Sequence, residues 1–374
     1  MTKRNIKAEE KAIKRRRKLA AFLCFLFFFI ISFTAFFLIT WHVGSNKTLR
    51  YVNSLETLSS DKENFTVTKA ENHIEIDCKE DLKILQLSDI HICSGIFRFS
   101  LDKKVITEVI NRVKETKPDL LVITGDALSP IWITSGTRDS YKQLKVFLAL
   151  LEKINLPFAF CFGNHDGDGT ASEEFISKSL EKAKKSLYLS GEKEVKGEGN
   201  YYIKVKFDGE IKSSMIFFNS GGKKKNKYEG VSYEQVLWYE KTVKTLKKEN
   251  ENVKNLLFLH VPVPEYDEFY KKAKDGDGNY VIQEGIKDEK VCFGEQNGLY
   301  EKMKELNYTK FVFCGHDHKN NYVVKDLSSG ISLCYGMSMD FSAYPSLKFK
   351  TKYRGGRIIE IKKSGEVLTY SSPA

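Results

Sequence analysis

Five of the seven histidines in this chain lie in short blocks that directly follow apolar, strand-like runs. The blocks are Asp89–Ile90–His91, Asn164–His165–Asp166, His260 and His316–Asp317–His318, and Gly125–Asp126 has the same position without a histidine. Imidazoles, carboxylates and a neutral amide are ligands that suit Zn, Fe or Mn, and the blocks contain no thiolate. Two neighbouring ions of this kind lower the pKa of a water molecule and clamp a tetrahedral anion, so the pattern predicts a two-metal hydrolytic site.

The spacing within the blocks supports a shared site. In D-x-H and H-x-H sequences, both side chains of one loop are able to point at a single ion. A lone histidine such as His260 is a weaker signal, but its place after an apolar run and before Pro262 favours a site residue. We interpret Asp168, between Gly167 and Gly169, as a turn residue instead.

The elements that must position these blocks are short apolar strands. Five predicted strands precede the five blocks: Leu82–Leu87, Leu120–Ile123, Phe158–Phe162, Asn255–Leu259 and Lys310–Cys314. Ligands of open α/β sheets collect beyond the carboxyl ends of the strands, which is where every block lies. Amphipathic segments separate the first strands, so the order predicts an α/β protein with two sheets packed together and helices outside.

Two capping pairs and one hairpin complete the secondary-structure prediction. Thr170 with Glu173 predicts a helix that runs to about residue 187, and Ser232 with Gln235 predicts a second helix through residue 247. A hairpin is expected for residues 357–361 and 367–370.

The N-terminus predicts a membrane anchor. Residues 19–40 contain no charge over 22 residues, enough to span a bilayer as a helix, and residues 1–18 carry a net charge of +7. The positive-inside rule then predicts a single-pass type II protein with a cytosolic tail and a lumenal or extracellular body. The alternative is a cleaved signal peptide, for which Val43–Gly44–Ser45 is a weak cleavage site. We expect a stalk and a first edge strand in residues 41–80, followed by the catalytic domain in residues 81–374.

Charge, sequons and cysteines agree with this topology. The formal net charge of the whole chain is +11, of which the tail supplies most, so the basic balance indicates topology and we expect no nucleic-acid partner. Sequons at Asn46, Asn64 and Asn307 fit a glycosylated lumenal or extracellular body. Seven cysteines show no disulfide spacing, and Cys161 and Cys314 are expected to be buried thiols.

In this order, the five blocks resemble the motif set of the calcineurin-like metallophosphoesterases, over about residues 80–362. A closer resemblance is to the purple-acid-phosphatase-like branch of yeasts and plants. The matching stretches are Leu87–His91, Ser220–Gly222, His260–Tyr266, Gln283–Ile286, Gly315–His318, Leu333–Gly336 and Arg354–Arg357. This resemblance implies a four-layer α/β/β/α sandwich that hydrolyses phosphate esters by attack of a metal-bridging hydroxide.

The resemblance also implies a role for each site residue. The first metal would be held by Asp89, His91 and His318, and Asp126 would bridge both ions. The residues implied for the second metal are Asn164, His260 and His316. His165 would contact the phosphoryl oxygens or protonate the leaving group, with Asp166 orienting its ring. The implied cofactors are two divalent or mixed-valence ions of Zn, Fe or Mn.

One position departs from the purple enzymes, and two other functions stay open. Purple enzymes have a tyrosine three residues after the bridging aspartate, where this chain has Ser129, so we expect no iron–tyrosinate colour. The alternatives are an inactive ectodomain that binds a protein or a phosphorylated ligand, and a nucleotide or phosphodiester hydrolase on the same fold. Arg354 and Arg357 are interpreted either as anion contacts or as surface residues.

Overall fold

A computed structural model describes residues 3–59, 63–95, 97–295, 297–343 and 351–374. Its helices are α1 Lys3–Ser54, α2 Phe99–Thr116, α3 Trp132–Ser135, α4 Ser140–Ile154, α5 Glu173–Glu181, α6 Tyr233–Glu249, α7 Glu265–Lys274 and α8 Leu299–Leu306. Its first eight strands are β1 Phe65–Lys69, β2 His73–Cys78, β3 Leu82–Leu87, β4 Leu120–Thr124, β5 Phe158–Cys161, β6 Tyr201–Phe207, β7 Glu210–Phe217 and β8 Lys223–Lys224. The remaining strands are β9 Lys227–Tyr228, β10 Lys254–Phe258, β11 Tyr280–Glu284, β12 Thr309–Cys314, β13 Val323–Asp326, β14 Ser332–Tyr335, β15 Gly355–Ile361 and β16 Val367–Pro373.

The described strands form two large sheets and a small hairpin. The first sheet has five strands in the order β16-β15-β3-β4-β5, and the second has nine in the order β1-β2-β6-β7-β10-β12-β14-β13-β11. Strands β3, β4 and β5 are parallel, as are β10, β12 and β14. The carboxyl ends of these two parallel groups carry the predicted blocks.

The two sheets pack face to face because their strands alternate between two apolar clusters. Phe217, Phe258 and Phe313 lie on adjacent strands of the nine-stranded sheet, and their rings stack with centroids 5.0 Å apart. They belong to the same buried cluster as Leu85 of β3 and the apolar residues of α2 and α4. The intervening residues of the nine-stranded sheet, such as Leu257, pack instead against α6, α7 and α8. The predicted four-layer α/β/β/α sandwich is therefore confirmed.

The two capping predictions had different outcomes. Ser232 and Gln235 form the expected capping box at the start of α6. At α5 the predicted cap is wrong: the Ser172 hydroxyl accepts the Phe175 N–H, and the helix ends at Glu181 rather than near 187. The expected hairpin is present as β15 and β16, which pair antiparallel. Cys161 and Cys314 are buried, as expected.

The N-terminal apolar segment forms part of one long helix. Within Glu9–Ile39 of α1, the most apolar 18-residue window has a mean hydropathy of 2.8 and none of it is buried, so the helix is long and apolar enough to cross a membrane. The predicted stalk is wrong, because α1 continues to Ser54 and its last turns belong to the domain. Val52 is fully buried, and the buried Thr48 hydroxyl donates to Asp102 at 2.9 Å. The rest of the segment 41–80 supplies β1, the expected edge strand, and β2.

Helix α1 leaves the domain at the edge where the parallel strands end. Thr48 contacts Asp102 in the first turn of α2, beside the loop that follows β3. Ten residues later, the Leu58 N–H donates to the Lys153 carbonyl, near the last turn of α4 at the opposite edge. The part of α1 that precedes Thr48 therefore projects from the edge that carries the histidine blocks.

Candidate metal centre

Six of the seven predicted metal ligands meet in two adjacent groups. The first group is Asp89, His91 and His318, and the second is Asp126, His260 and His316. Within each group the potential ligand atoms lie within 4.8 Å of one another. These side chains come from loops after four different strands, β3, β4, β10 and β12, so only the folded chain brings them together.

The carboxylate of Asp126 lies between the two groups. Its Oδ2 atom is 3.3 Å from His260 Nε2 in its own group and 3.7 Å from His91 Nε2 in the other. Asp89 Oδ1 is 3.2 Å from His318 Nε2 and 3.9 Å from His260 Nε2. Carboxylates that reach imidazoles of both groups are the arrangement that a bridged pair of cations requires.

Asn164, the seventh predicted ligand, lies in the loop that borders this centre. Its side chain is buried, and neither amide atom has a hydrogen-bond partner among the described residues. The next residue in the loop, His165, donates its backbone N–H to Asp126 Oδ1 at 2.8 Å. The structure thus places the Asn164 loop directly on the central carboxylate.

The unpaired polar atoms fit bound cations. Asp89 Oδ1, His260 Nε2 and Asn164 Oδ1 are buried without a hydrogen-bond partner in the described part of the chain. Each buried unsatisfied group of this kind costs roughly 1–3 kcal/mol. Cations coordinated by these atoms would remove that cost, and an all-nitrogen-and-oxygen set suits Zn, Fe or Mn.

Polar contacts through Nδ1 orient two of the imidazoles. His260 donates from Nδ1 to the Thr124 carbonyl at 2.7 Å, which leaves its Nε2 lone pair directed at the two carboxylates. His318 Nδ1 lies 3.3 Å from Asp340 Oδ2. Contacts of this type fix the tautomer and the ring orientation of metal-binding histidines.

Asp340 is a site residue that sequence reasoning missed. It is buried beneath His318 and follows β14, a parallel strand whose carboxyl end lies at the same edge as the other blocks. A strand-end position was therefore the available signal. Asp340 was not predicted because it lies five residues beyond the strand and has neither histidine nor glycine next to it in the sequence.

The loops hold several candidate ligands in left-handed backbone conformations. Asp89, His91, Asp126 and His316 have φ values of 55°, 51°, 51° and 79°. A non-glycine residue with positive φ costs of order 1–3 kcal/mol and persists where the surrounding structure imposes it. Four of the twelve described non-glycine residues with positive φ belong to the seven predicted ligands, so the strain is concentrated at this centre.

Two glycines permit the close approach of the β4 and β5 loops. A Cβ atom on Gly163 would lie 2.1 Å from Asp126 Oδ1, and one on Gly125 would lie 2.7 Å from His260 Nδ1. Gly125 also has a φ of 80°. Both contacts are too short for any side chain, so these glycines are required for the position of the central carboxylate.

Burial and the carboxylates act in opposite directions on the imidazoles. Burial lowers the pKa of His91, and it lowers the pKa of His316 to about 3. Burial also acts to lower the pKa of His260, but the Asp126 and Asp89 carboxylates outweigh it and raise that pKa to about 9. Protons therefore compete with metal ions for His260, whereas His91 and His316 are already neutral ligands.

His165 lies beside the centre, and its predicted partner is wrong. Its ring centroid is 5.9 Å from that of His91, and its side chain is 30% exposed. Its Nδ1 atom is 2.8 Å from Asp168 Oδ2, whereas both carboxylate oxygens of Asp166 accept backbone N–H groups of the loops instead. Asp168, interpreted as a turn residue, is thus the carboxylate of the pair. The cause is the turn itself, since the Asp168 N–H bonds the His165 carbonyl and brings the two side chains to one side.

Asp166 points away from the His165 ring and connects the loops that follow β4 and β5. It is fully buried, and its Oδ2 atom accepts the N–H groups of Asp126 at 2.9 Å and Gly163 at 2.8 Å. Its Oδ1 atom accepts the Leu128 N–H at 2.9 Å. Asp166 therefore ties the β5 loop to the β4 loop that carries the central carboxylate.

Replacing Asp166 by asparagine is expected to lower the free energy of unfolding by about 2 kcal/mol, because the amide keeps one acceptor oxygen and leaves the buried Leu128 N–H unsatisfied. The matched variant Asp168→Asn changes a half-exposed side chain and is expected to change stability by less than about 0.5 kcal/mol. Urea unfolding of both variants measures the difference. Equal losses of stability would show that the two carboxylates do not have separate roles.

The two arginines near the C-terminus have neither of their predicted roles. Arg357 is fully buried, with Nε donating to the Tyr335 carbonyl and Nη1 3.0 Å from a Glu284 carboxylate oxygen. Arg354 is also buried, and its Nε donates to the Asp340 carbonyl at 2.8 Å. Both are internal structural residues, and Arg354 holds the backbone of the residue that backs His318.

Comparison with known proteins agrees with the fold. The profile of the calcineurin-like phosphoesterase family matches residues 82–320. The chain is 28% identical over 311 residues to probable inactive purple acid phosphatase 14 of Arabidopsis thaliana, with 73% of this chain and 74% of that protein covered. It is 27% identical over 278 residues to phosphatase DCR2 of Saccharomyces cerevisiae, covering 68% of this chain and 47% of DCR2.

A solved structure shows the same fold. A dimetal phosphatase from Danio rerio superposes on 78% of this chain and on 99% of its own, with a TM-score of 0.51 and 11% sequence identity. At that identity the likeness concerns the fold alone. The residues that match the family profile include both groups of candidate ligands.

Proposed function

The chain belongs to the calcineurin-like phosphoesterase family, and on that premise we propose that it is a membrane-anchored enzyme that hydrolyses phosphate esters with two bound metal ions. The observation that carries the proposal is the pair of adjacent ligand groups around Asp126, with His165 beside them. A family fold alone would not support activity, because folds are retained when sites decay.

The candidate ligands divide into two sets. Asp89, His91 and His318 would hold one ion, Asn164, His260 and His316 would hold the other, and Asp126 would bridge them. Bound cations of this type supply Lewis-acid activation of water and neutralise charge on a phosphoryl group. The neutral amide of Asn164 limits the negative charge that faces a phosphate dianion. Zn, Fe or Mn suit these donors, and Ser129 supplies no tyrosinate ligand to iron.

His165 would act on the substrate rather than on the metals. Its side chain is 30% exposed, and the carboxylate of Asp168 holds its Nδ1 atom. Burial acts to lower the pKa of His165, but the carboxylates of Asp126 and Asp168 outweigh it and raise that pKa. A protonated imidazole at this position would stabilise the phosphoryl oxygens or give its proton to the leaving oxygen.

Removal of the metal ions tests the proposal. The full chain purified in detergent is expected to hydrolyse p-nitrophenyl phosphate or its bis ester, to lose activity with EDTA, and to recover it when Zn, Mn or Fe is returned. Release of p-nitrophenol is the measurement, and elemental analysis gives the bound metals. Metal-loaded protein that hydrolyses neither ester would overturn the proposal.

A second candidate function is that of an inactive domain that binds a protein or a phosphorylated ligand. The observation that favours it is the name of the Arabidopsis thaliana relative, which describes that protein as a probable inactive purple acid phosphatase. Protein without bound metal in elemental analysis, but with measurable affinity for phosphate, would support it. The complete set of seven candidate ligands in this chain favours the enzyme.

We propose that α1 is a type II anchor and that the catalytic domain is lumenal or extracellular. The basic tail, with a net charge of +7, and the unburied apolar span support this orientation. In sealed microsomes, the domain is expected to resist added protease until detergent is present, and an immunoblot measures the protected fragment. Digestion of the domain in intact vesicles would place it on the cytosolic side.

A further inference from the structure

Three large apolar side chains are exposed at the tips of loops that follow candidate metal ligands. Phe97 is 84% exposed, six residues after His91 in the loop from β3. Trp132 and Ile133 are 55% and 86% exposed in the loop from β4, which begins at Asp126. Exposed side chains of this size at neighbouring positions are uncommon on a soluble surface and mark contact with another apolar phase.

The two tips are adjacent and form one surface. A Cβ atom on Gly95 would lie 1.6 Å from the Ser135 carbonyl oxygen, so the two loops touch. Arg98 donates to the Ile133 carbonyl at 3.4 Å, which places a cation at the border of the apolar tips. We call Phe97, Trp132 and Ile133 the apolar tip.

The apolar tip lies against the end of the membrane span. The ring centroids of Phe37 and Trp132 are 5.6 Å apart, and Phe37 is close to the end of the span Glu9–Ile39. Helix α1 is unbroken between Phe37 and Thr48, a rise of about 16 Å at 1.5 Å per residue. Helix α1 projects from the edge of the domain that carries the histidine blocks, which we call the catalytic edge. The apolar tip is therefore at the depth where the span meets the membrane surface.

The apolar tip is also connected to the catalytic histidine. Arg138 follows α3, the short helix that contains Trp132 and Ile133. Its guanidinium donates to the Asp168 carbonyl at 2.6 Å, and its own carbonyl accepts the Thr170 N–H at 3.0 Å. Asp168 is the residue that holds His165. The loop that would enter the membrane surface therefore packs directly on the loop that carries the exposed imidazole.

We propose that the catalytic edge faces the bilayer that holds α1, and that the substrate is a phosphate monoester of a lipid in that bilayer; this inference rests on the proposed hydrolase function. The apolar tip enters the acyl boundary as other monotopic surfaces do, and Arg98 meets the anionic headgroups. Hydrolysis forms a P–O bond to the oxygen of water and breaks the P–O bond to the lipid alcohol. The alcohol oxygen takes a proton, and the products are a neutral lipid alcohol and inorganic phosphate.

The test uses the full metal-loaded chain in phosphatidylcholine vesicles that contain phosphatidate as the probe. The double variant Trp132→Ser with Ile133→Ser is expected to release phosphate from phosphatidate about tenfold more slowly, since the lost apolar contact loosens the edge from the lipid. Soluble p-nitrophenyl phosphate is the reference substrate, for which a change of less than about twofold is expected. The control double variant Leu237→Ser with Leu368→Ser removes two exposed apolar side chains elsewhere and is expected to keep both rates.

Fluorescence quenching gives a second readout that does not depend on activity. The chain has three tryptophans, so the contribution of Trp132 is the difference between the wild-type protein and Trp132→Phe. Brominated phosphatidylcholine is expected to quench the wild-type protein more than the variant. Equal quenching would overturn the membrane contact even if the enzyme is active.

The outcomes separate the inference from the function on which it rests. Hydrolysis of p-nitrophenyl phosphate but not of phosphatidate would overturn the lipid substrate alone and point to a soluble ester or a phosphoprotein. Equal loss of both activities in the double variant would also overturn it. Failure to hydrolyse either substrate would overturn the proposed function and the inference together.

Discussion

Replacing Asp126 by asparagine is expected to lower kcat for p-nitrophenyl phosphate by about a thousandfold, roughly 4 kcal/mol of transition-state stabilisation, and to reduce bound metal from two ions to one or none. The reason is position: Oδ2 of Asp126 is the carboxylate oxygen that lies 3.3 Å from His260 Nε2 and 3.7 Å from His91 Nε2. An amide there leaves buried imidazoles of both groups without a shared negative charge.

Metal content and kcat must fall together for this prediction to hold. Elemental analysis after gel filtration measures the first, and p-nitrophenol release measures the second. Asp208→Asn is a suitable control, because that carboxylate is exposed and pairs with Lys363 at the surface. Asp126→Asn protein with two bound ions and wild-type kcat would exclude Asp126 as the bridge.

The second large effect is expected at His165. Replacement by glutamine should lower kcat by about a hundredfold while both metal ions stay bound, because the imidazole acts on the substrate and its ring is not in either ligand group. Loss of metal together with activity would show instead that His165 is a ligand. The matched comparison is His260→Gln, which replaces a candidate metal ligand. It is expected to lower both kcat and the amount of bound metal.

The choice of leaving group separates the two roles of His165. If the imidazolium gives its proton to the leaving oxygen, the loss in His165→Gln is larger for an alkyl phosphate than for p-nitrophenyl phosphate, whose phenolate leaves without help. Equal losses would indicate that the ring only stabilises the phosphoryl oxygens. Comparison of kcat for the two esters in wild type and variant is the measurement.

The pH profile gives an independent check through Asp168. The Asp168 carboxylate raises the pKa of His165, so Asp168→Asn is expected to lower it. As the pH rises, a group with a lower pKa gives up its proton at a lower pH. The alkaline limb of the kcat profile should therefore move to lower pH in Asp168→Asn, and an unmoved limb would show that His165 is not the titrating acid.

The ligand groups were predictable because strand ends are a local property of the sequence. Each of these strands has four to six residues and is followed by its ligand within a few positions, as in Leu82–Leu87 and Asp89. Parallel strands then bring these ends to one edge without further information. The direction in which each side chain of a loop points could not be predicted from the sequence. Asp166 and Asp168 differ by two positions, and only the turn that returns from His165 decides which of them meets the imidazole.

The last turns of α1 were mispredicted for a different reason. Gly44, Ser45 and Asn46 precede the segment near Thr48 and Val52, and residues of these types favour turns over a continuing helix. Its fold comes from tertiary contacts: Val52 fills the core beside α2 and α4, and Thr48 bonds a buried carboxylate 54 residues away. Partners at such separation are not visible in a local pattern.

If α1 spans the bilayer as proposed, its unbroken course fixes the rotation of the domain about the helix axis and the height of the domain above the membrane. A helix turns by about 100° and rises 1.5 Å for each residue, so one residue inserted between Ile39 and Thr48 would rotate the span away from Trp132. Seven inserted residues would restore the direction but lift the catalytic edge by about 10 Å. Under the proposed anchoring, this connection would keep the edge that carries the histidine blocks toward the bilayer that holds α1, because α1 is unbroken between Phe37 and Thr48.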